Sequence, residues 1–254
     1  MAGLAGAVLL AMVFLEAFEA IVLPRRVTRR FRFTRLFYRT TWNTWRWAAR
    51  VFRSKKRREM LLGFYGPFSL LLLLATWAAA LVLGFALLHY GAGSAVNTGG
   101  SPPSFATDLY LSGTSFFTLG IGDVTPRSAF ACVLTVAEAG VGFAFLAVLI
   151  GYMPVIYQSF SRREVGVSLL DSRAGSPPSA GELLRRHSHP HGLEMLQSLL
   201  ADWERWSAEL LESHLSYPVL AYYRSQHNNE SWLSALTAIL DTSALVMMGL
   251  EGAC

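Results

Sequence analysis

The chain has 254 residues, 53% of them hydrophobic; one or two soluble cores need less, so a membrane protein is the first reading. Its net charge of +5 is concentrated: fourteen of the 22 Lys and Arg residues lie between Arg25 and Arg58, and no acid falls between Glu19 and Glu59. Two distant cysteines, Cys132 and Cys254, argue against a disulfide framework, and the absence of a Ser-His-Asp set, a Walker loop, a dinucleotide fingerprint or a Cys-rich metal pattern argues against an enzyme.

The first apolar stretch, 2–23, is close to the ~20 residues a bilayer needs. Glu16 and Glu19 interrupt it and Pro24 stops it. Its basic residues follow the apolar run, the reverse of a signal peptide, so a retained membrane helix over 1–24 is expected. Residues 25–58 mix arginines with aromatics. Tyr38, Trp42, Trp45, Ala49 and Phe52 share one helical stripe, and Arg35, Arg39, Arg46, Arg50 and Arg53 a neighbouring one, with Trp47 off the pattern. That suits a helix in the headgroup layer, its guanidiniums on anionic phosphate. Arg26, Arg29, Arg32 and Arg35 recur every third residue as in a voltage sensor, but without its apolar matrix and partner spans. A block pinned between two spans also argues against nucleic acid.

The second span runs over 60–90 and the third over 128–157. Arg162 and Arg163 follow the third, and only Arg127 is basic between the two. Basic residues collect on the cytoplasmic side. The expected topology is therefore N-terminus outside, basic block inside, loop 91–127 outside and C-terminus inside a cell membrane. Residues 161–192 read as a linker punctuated by Gly175, Pro177, Pro178, Gly181, Pro190 and Gly192. Within it His187, His189 and His191 read as solvated loop residues, with a metal or proton sensor as the sharper alternative.

Residues 193–254 read as a cytosolic helical domain. Leu196, Leu199, Leu200, Trp203, Trp206, Leu210 and Leu211 follow helical spacing until Pro218 breaks the run. A second helix starts near Ser231, capped by Asn229 or Ser231, and reaches Gly249 with no stop signal before Cys254, as though the sequence were cut short. Residues 233–250 are apolar enough for a fourth span, but Asp241 at their middle favours a cytosolic place. The Asn229-Glu230-Ser231 sequon then faces the cytosol and reads as chance.

The loop between spans two and three carries the chemistry. Ser101-Pro102-Pro103-Ser104 is a helix start signal, with Asp108 in the first turn and a short apolar helix to about Phe117. Such a helix cannot cross a bilayer and must be re-entrant, its C-terminal partial negative charge favouring a cation near the membrane centre. Thr118-Leu119-Gly120-Ile121-Gly122-Asp123 follows. Its two glycines permit backbone conformations that turn successive carbonyls toward one axis, where with the Thr118 hydroxyl they can replace the water shell of a cation. The bland alternative is a Gly-rich reverse turn.

The run Tyr110-Leu111-Ser112-Gly113-Thr114-Ser115-Phe116-Phe117-Thr118-Leu119-Gly120-Ile121-Gly122-Asp123-Val124-Thr125-Pro126, with Glu138 and Gly142 at E-x-x-x-G spacing, resembles the two-transmembrane potassium channel family over about residues 60–160. The resemblance implies an all-α pore-loop channel: an outer helix, a re-entrant pore helix, a filter and an inner helix in a pore domain over 59–160. The N-terminal helix and the C-terminal cytosolic helical domain are additions to it. It implies potassium ions at Thr118, Leu119, Gly120, Ile121 and Gly122, filter support by Asp123, Tyr110 and Thr114, an inner-helix hinge at Gly142 and, because one chain supplies one quarter of the ring, a homotetramer. Ile121 stands where the family has Tyr or Phe, Phe117 where a hydroxyl is common, and Thr114 where some members have a second carboxylate. A non-selective cation channel of the same fold is therefore the nearest alternative, and a non-transporting membrane scaffold the more distant one.

Three features of span three stay open in the sequence. Glu138 either hydrogen-bonds behind the filter near Thr114 or Ser115, or faces the pore as a cation site; the former is favoured by its spacing to Gly142. Pro154 should kink the helix near its cytosolic mouth. Phe143, Leu146 and Ile150 line either an apolar gate or a lipid- and helix-facing surface.

Overall fold

Almost all regular structure in the computed structural model is helical, and residues 1–22, 32–99, 102–225 and 231–249 are described. The Pro24 stop, Arg25, Arg26 and Arg29 of the basic block, Ser101, the Asn229-Glu230 pair and the chain beyond Gly249 lie outside the described residues. The helices are α1 (Ala2–Ala17), α2 (Phe33–Ala49), α3 (Lys55–Gly91), α4 (Phe105–Phe116), α5 (Ala129–Ala174), α6 (Ala180–Arg186), α7 (Gly192–Ser216) and α8 (Trp232–Gly249). A π-helical turn, Phe18–Val22, extends α1, and a 3-10 turn, Pro218–Tyr222, follows α7. Two-residue strands β1 (Val96–Asn97) and β2 (Thr125–Pro126) pair antiparallel. By length and composition four segments can cross a membrane: Ala2–Ile21, Lys56–Gly91, Ala129–Ala174 and Trp232–Gly249. The chain is an all-α membrane protein, built as two compact units, 1–41 with 69–154 and 42–68 with 155–254.

In the first unit α1 packs on the upper part of α3 through small residues. A Cβ on Gly6 would lie 2.6 Å from the Gly84 carbonyl oxygen, so the two backbones touch where neither carries a side chain. Glu16, one of the two acids that interrupt the first span, is 3% exposed. Its carboxylate accepts from Phe33 N at 3.0 Å, Thr34 N at 3.2 Å and Thr34 Oγ1 at 2.8 Å. These are unpaired donors of the first turn of α2, the end that favours a negative charge.

α4 starts at the expected signal. Ser104 is its N-cap, with Ser104 N donating to Thr107 Oγ1 at 2.7 Å and Thr107 N to Ser104 Oγ at 3.4 Å. Its 12 residues span about 18 Å, short of a ~30 Å hydrocarbon core. The β pair joins the two ends of the loop that contains it, Val96 opposite Pro126 and Asn97 opposite Thr125.

α5 departs from expectation in length. Its 46 residues run to about 69 Å, roughly twice what a bilayer core needs. It passes Pro154 without a break in the helix, and the expected domain boundary at 160 and linker from 161 fall inside it. The reason is local: apolar residues keep helical spacing through Val167, Leu170 and Ala174, and no proline intervenes before Gly175 ends the helix at φ +84°. Val167, Leu170 and Ala174 then form the core of the second unit with Leu183, Leu196, Leu199, Trp203, Ala235 and Ile239. Of the expected α7 stripe, Leu196, Leu199, Trp203 and Leu210 are buried while Leu211 is 63% exposed. Among the described residues His187, His189 and His191 belong to no group placed to hold a metal.

His214 on α7 is held below the ordinary histidine range, first by burial and then by the Arg163 charge, against a hydrogen bond with the Leu210 carbonyl that raises it. As pH falls through about 6.5 the unfolded chain takes up a proton that the folded one resists. The helical unit around α7 should therefore keep its full stability above that pH and lose part of it on acidification. Thermal unfolding in detergent at pH 7.5 and 5.5 checks this: the acid shift in midpoint should shrink in His214→Gln.

Candidate functional site

Beyond the C-cap Phe117, the backbone takes a pattern rare in L-residues. φ is +56° at Thr118, +57° at Gly120 and +83° at Gly122, while Leu119 and Ile121 between them stay negative. Alternation of left- and right-handed residues turns successive carbonyls toward one side of the strand. Glycine takes the left-handed state freely, but for Thr118 it costs about 1–2 kcal/mol. Strain of that kind is found where function requires it.

The strand is tied to the last turns of α4. Leu119 N donates to the Thr114 carbonyl at 2.8 Å, and Thr118 N to the Ser115 carbonyl at 3.0 Å. Thr114 thus holds the strand through its main chain; its hydroxyl donates within its own helix, to the Leu111 carbonyl at 3.0 Å. At the far end Asp123 accepts from Val124 N at 3.0 Å. Tyr110 and Asp123 are brought together: the phenol is pushed above its ordinary range first by its hydrogen bond to Asp123, then by desolvation and by the carboxylate charge. Leu119 and Ile121 are 64% and 60% exposed, so within one chain nothing encloses the strand's side chains.

Behind α4 lies a buried polar row. Glu138 of α5 is fully buried and accepts from Ser112 Oγ at 3.2 Å, with His89 Nε2 of α3 at 3.8 Å. Asp108, also fully buried, accepts from Ser94 Oγ at 2.5 Å. Glu138 thus faces α4 one turn before the Thr114 and Ser115 positions expected of it. His89, Ser94 and Ser112 escaped the sequence reading. The available signal was Asp108 and Ser112, four residues apart on one face of an apolar helix, and a histidine ending an apolar span.

Gly142, one turn after Glu138, meets the end of α4. A Cβ there would sit 1.8 Å from the Phe116 carbonyl oxygen. Space alone requires glycine at this position, and α5 runs on through it. Phe145 follows on the same side, its ring 5.8 Å from Phe116. Phe143, Leu146 and Ile150 lie on the remaining surface, 69%, 53% and 63% exposed. Pro154 is exposed as well.

The site thus joins a helix too short to cross a bilayer, a strand of alternating φ and a long helix packed against the end of the short one. Residues 64–158 match a family model described as ion channel. This segment, from within α3 to within α5, is similar to that family. An uncharacterized membrane protein of Bacillus subtilis (strain 168), YdjJ, is 23% identical over 188 residues, 73% of this chain and 54% of that protein. The chain spans about half the length of this relative. No solved structure matches. The ion-channel segment contains α4, the strand, Gly142 and Glu138, and begins and ends within the two long helices α3 and α5.

The contact at Gly142 gives a paired test. Gly142→Ala must displace the Phe116 carbonyl and should destabilise the channel segment by about 1–3 kcal/mol. Gly140→Ala, whose Cβ meets nothing within 4 Å, should not. Unfolding midpoints of the two purified variants should separate by several degrees.

Proposed function

We propose that this chain is one subunit of a homotetrameric potassium-type channel of the cell membrane that passes dehydrated cations through Thr118, Leu119, Gly120, Ile121 and Gly122. The observation that carries the reading is the alternation of φ along this strand, directly after the C-terminal end of a helix too short to cross a bilayer. One strand per chain supplies one wall of a pore, and its exposed Leu119 and Ile121 leave it to other copies to enclose an ion path. Potassium is the transported substrate. The exposed Phe143, Leu146 and Ile150 suit an apolar gate that closes by dewetting.

The proposed topology puts the basic block and the C-terminus in the cytosol. The exposed Arg35, Arg39, Arg46, Arg50 and Arg53, beside the exposed Trp47, Val51 and Phe52, then face anionic headgroups. A non-selective cation channel is the second reading, favoured by Ile121, which offers the strand neither a ring nor a hydroxyl for lateral support.

Two experiments test these readings. Purified protein should run as four chains in native mass spectrometry, and in planar bilayers its reversal potential should follow the K⁺ gradient against opposed Na⁺. A reversal near zero selects the non-selective reading, and normal current from Gly120→Ala removes the strand from the ion path, since alanine resists φ +57°. Filter support is tested separately. If the Tyr110–Asp123 bond holds the strand, Tyr110→Phe should shorten open bursts at both low and high salt with the tetramer intact, and Asp123→Asn should do so more strongly. If Asp123 only attracts cations, Tyr110→Phe changes nothing, and the effect of Asp123→Asn fades as salt screens the charge.

A further inference from the structure

Arg163 lies in the lower part of α5 and is 4% exposed. Its guanidinium donates from Nη1 to the Leu220 carbonyl at 3.1 Å and from Nη2 to the Tyr223 carbonyl at 2.8 Å. Nε donates to Glu164 Oε1 at 3.0 Å, and His214 Nε2 stands 3.5 Å from Nη1. The cation also sits over the rings of Phe160 and Trp232, at 5.1 and 5.8 Å. A buried charge with this many partners is a tie between elements: losing the partners leaves an uncompensated cation and two unpaired carbonyls.

The segment that supplies those carbonyls also grips the lower part of α3. The Tyr222 ring meets the Tyr65 ring at 5.4 Å and the Trp42 ring at 5.5 Å. Tyr223 packs on Phe160 of α5 at 5.5 Å and lies directly against Gly66 of α3. Arg224 forms an ion pair with Glu59 at the start of α3. Within residues 217–224, Leu220, Tyr222, Tyr223 and Arg224 therefore touch the first third of α3 and the part of α5 around Arg163. These contacts all lie within the second compact unit.

We propose that residues 217–224 are a clasp that fastens the lower end of α5 to the lower end of α3 and keeps the pore closed at rest, with Arg163 as its positioning residue. The proposal rests on the channel reading given above. The clasp holds the part of α5 past Pro154 to the first third of α3, and its release is the movement assigned to opening. Arg163 acts through the Leu220 and Tyr223 carbonyls and does not touch the ion.

The test is single-channel recording of the full chain in planar bilayers. Arg163→Gln, which keeps a donor but loses the charge and the fork, should raise open probability about tenfold, the scale of one charged hydrogen bond. Conductance and reversal potential should not change, a separation that general unfolding does not produce. A second arm leaves Arg163 in place. In a background with Cys132→Ser and Cys254→Ser, Glu59→Cys and Arg224→Cys are joined by a short reducible thiol cross-linker. Cross-linking should lower open probability and reductant should restore it. Unchanged or lower open probability in Arg163→Gln overturns the clasp. If that variant does not assemble, the cross-link decides: unaltered opening after cross-linking overturns it equally. Absence of current from the unaltered protein would instead remove the channel reading, and the clasp with it.

Discussion

The end of α4 and the backbone of α5 meet at one point, where the Phe116 carbonyl lies against Gly142 with no room for a methyl group. The strand from Thr118 to Gly122 hangs from that contact. The strand begins one residue beyond Phe117, and its first two amide bonds return to Ser115 and Thr114, in the same last turns of α4 that Gly142 locates. Four residues before Gly142, Glu138 reaches Ser112 and fixes the rotation of α4 about its own axis. One turn further back, Asp108 is held by Ser94 in the loop that follows α3. A close approach sets the position and two hydrogen bonds, one buried and one half-buried, set the orientation. In hydrocarbon such bonds are seldom exchanged for water, which makes them suited to holding a strained strand.

What could be read from residues alone was what depends on near neighbours. The Ser104 cap, the short helix after it and the glycine pair at 120 and 122 are local signals, and each lies where expected. Two further features needed partners far along the chain. Glu16 looked like a flaw in an apolar helix because the donors it satisfies are on Phe33 and Thr34, behind a proline and a run of arginines. His89 looked like the end of a span because Glu138, which it faces, is 49 positions away. Gly142 was expected on other grounds, as a hinge; the structure supplies a steric reason. The left-handed Thr118 had no signal at all, since threonine is a residue that ordinarily avoids that state.

The tail shows how a linker rule can mislead. Of the Gly and Pro residues taken as breaks, Gly175, Pro177, Pro178 and Pro190 lie between helices, while Gly181 lies inside α6 and Gly192 opens α7; the first break comes only at Gly175. Up to there α5 keeps an apolar stripe, because Val167, Leu170 and Ala174 are needed by α6, α7 and α8 as their common core. The helix that forms one side of the ion-channel segment is therefore also the central strut of the C-terminal helices.

Glu16 has a consequence for how the protein is made. The first helix is apolar enough to enter a membrane, but on its own it would carry a bare carboxylate in with it near its end, at a cost below the roughly 2.5–3.5 kcal/mol of an acid at mid-helix. The groups that neutralise the penalty, Phe33 N, Thr34 N and the Thr34 hydroxyl, are synthesised only after the arginine-rich segment has emerged. Insertion of the N-terminal helix is thereby coupled to translation of the start of α2. Until residue 34 has been made, the helix lacks the donors that satisfy Glu16.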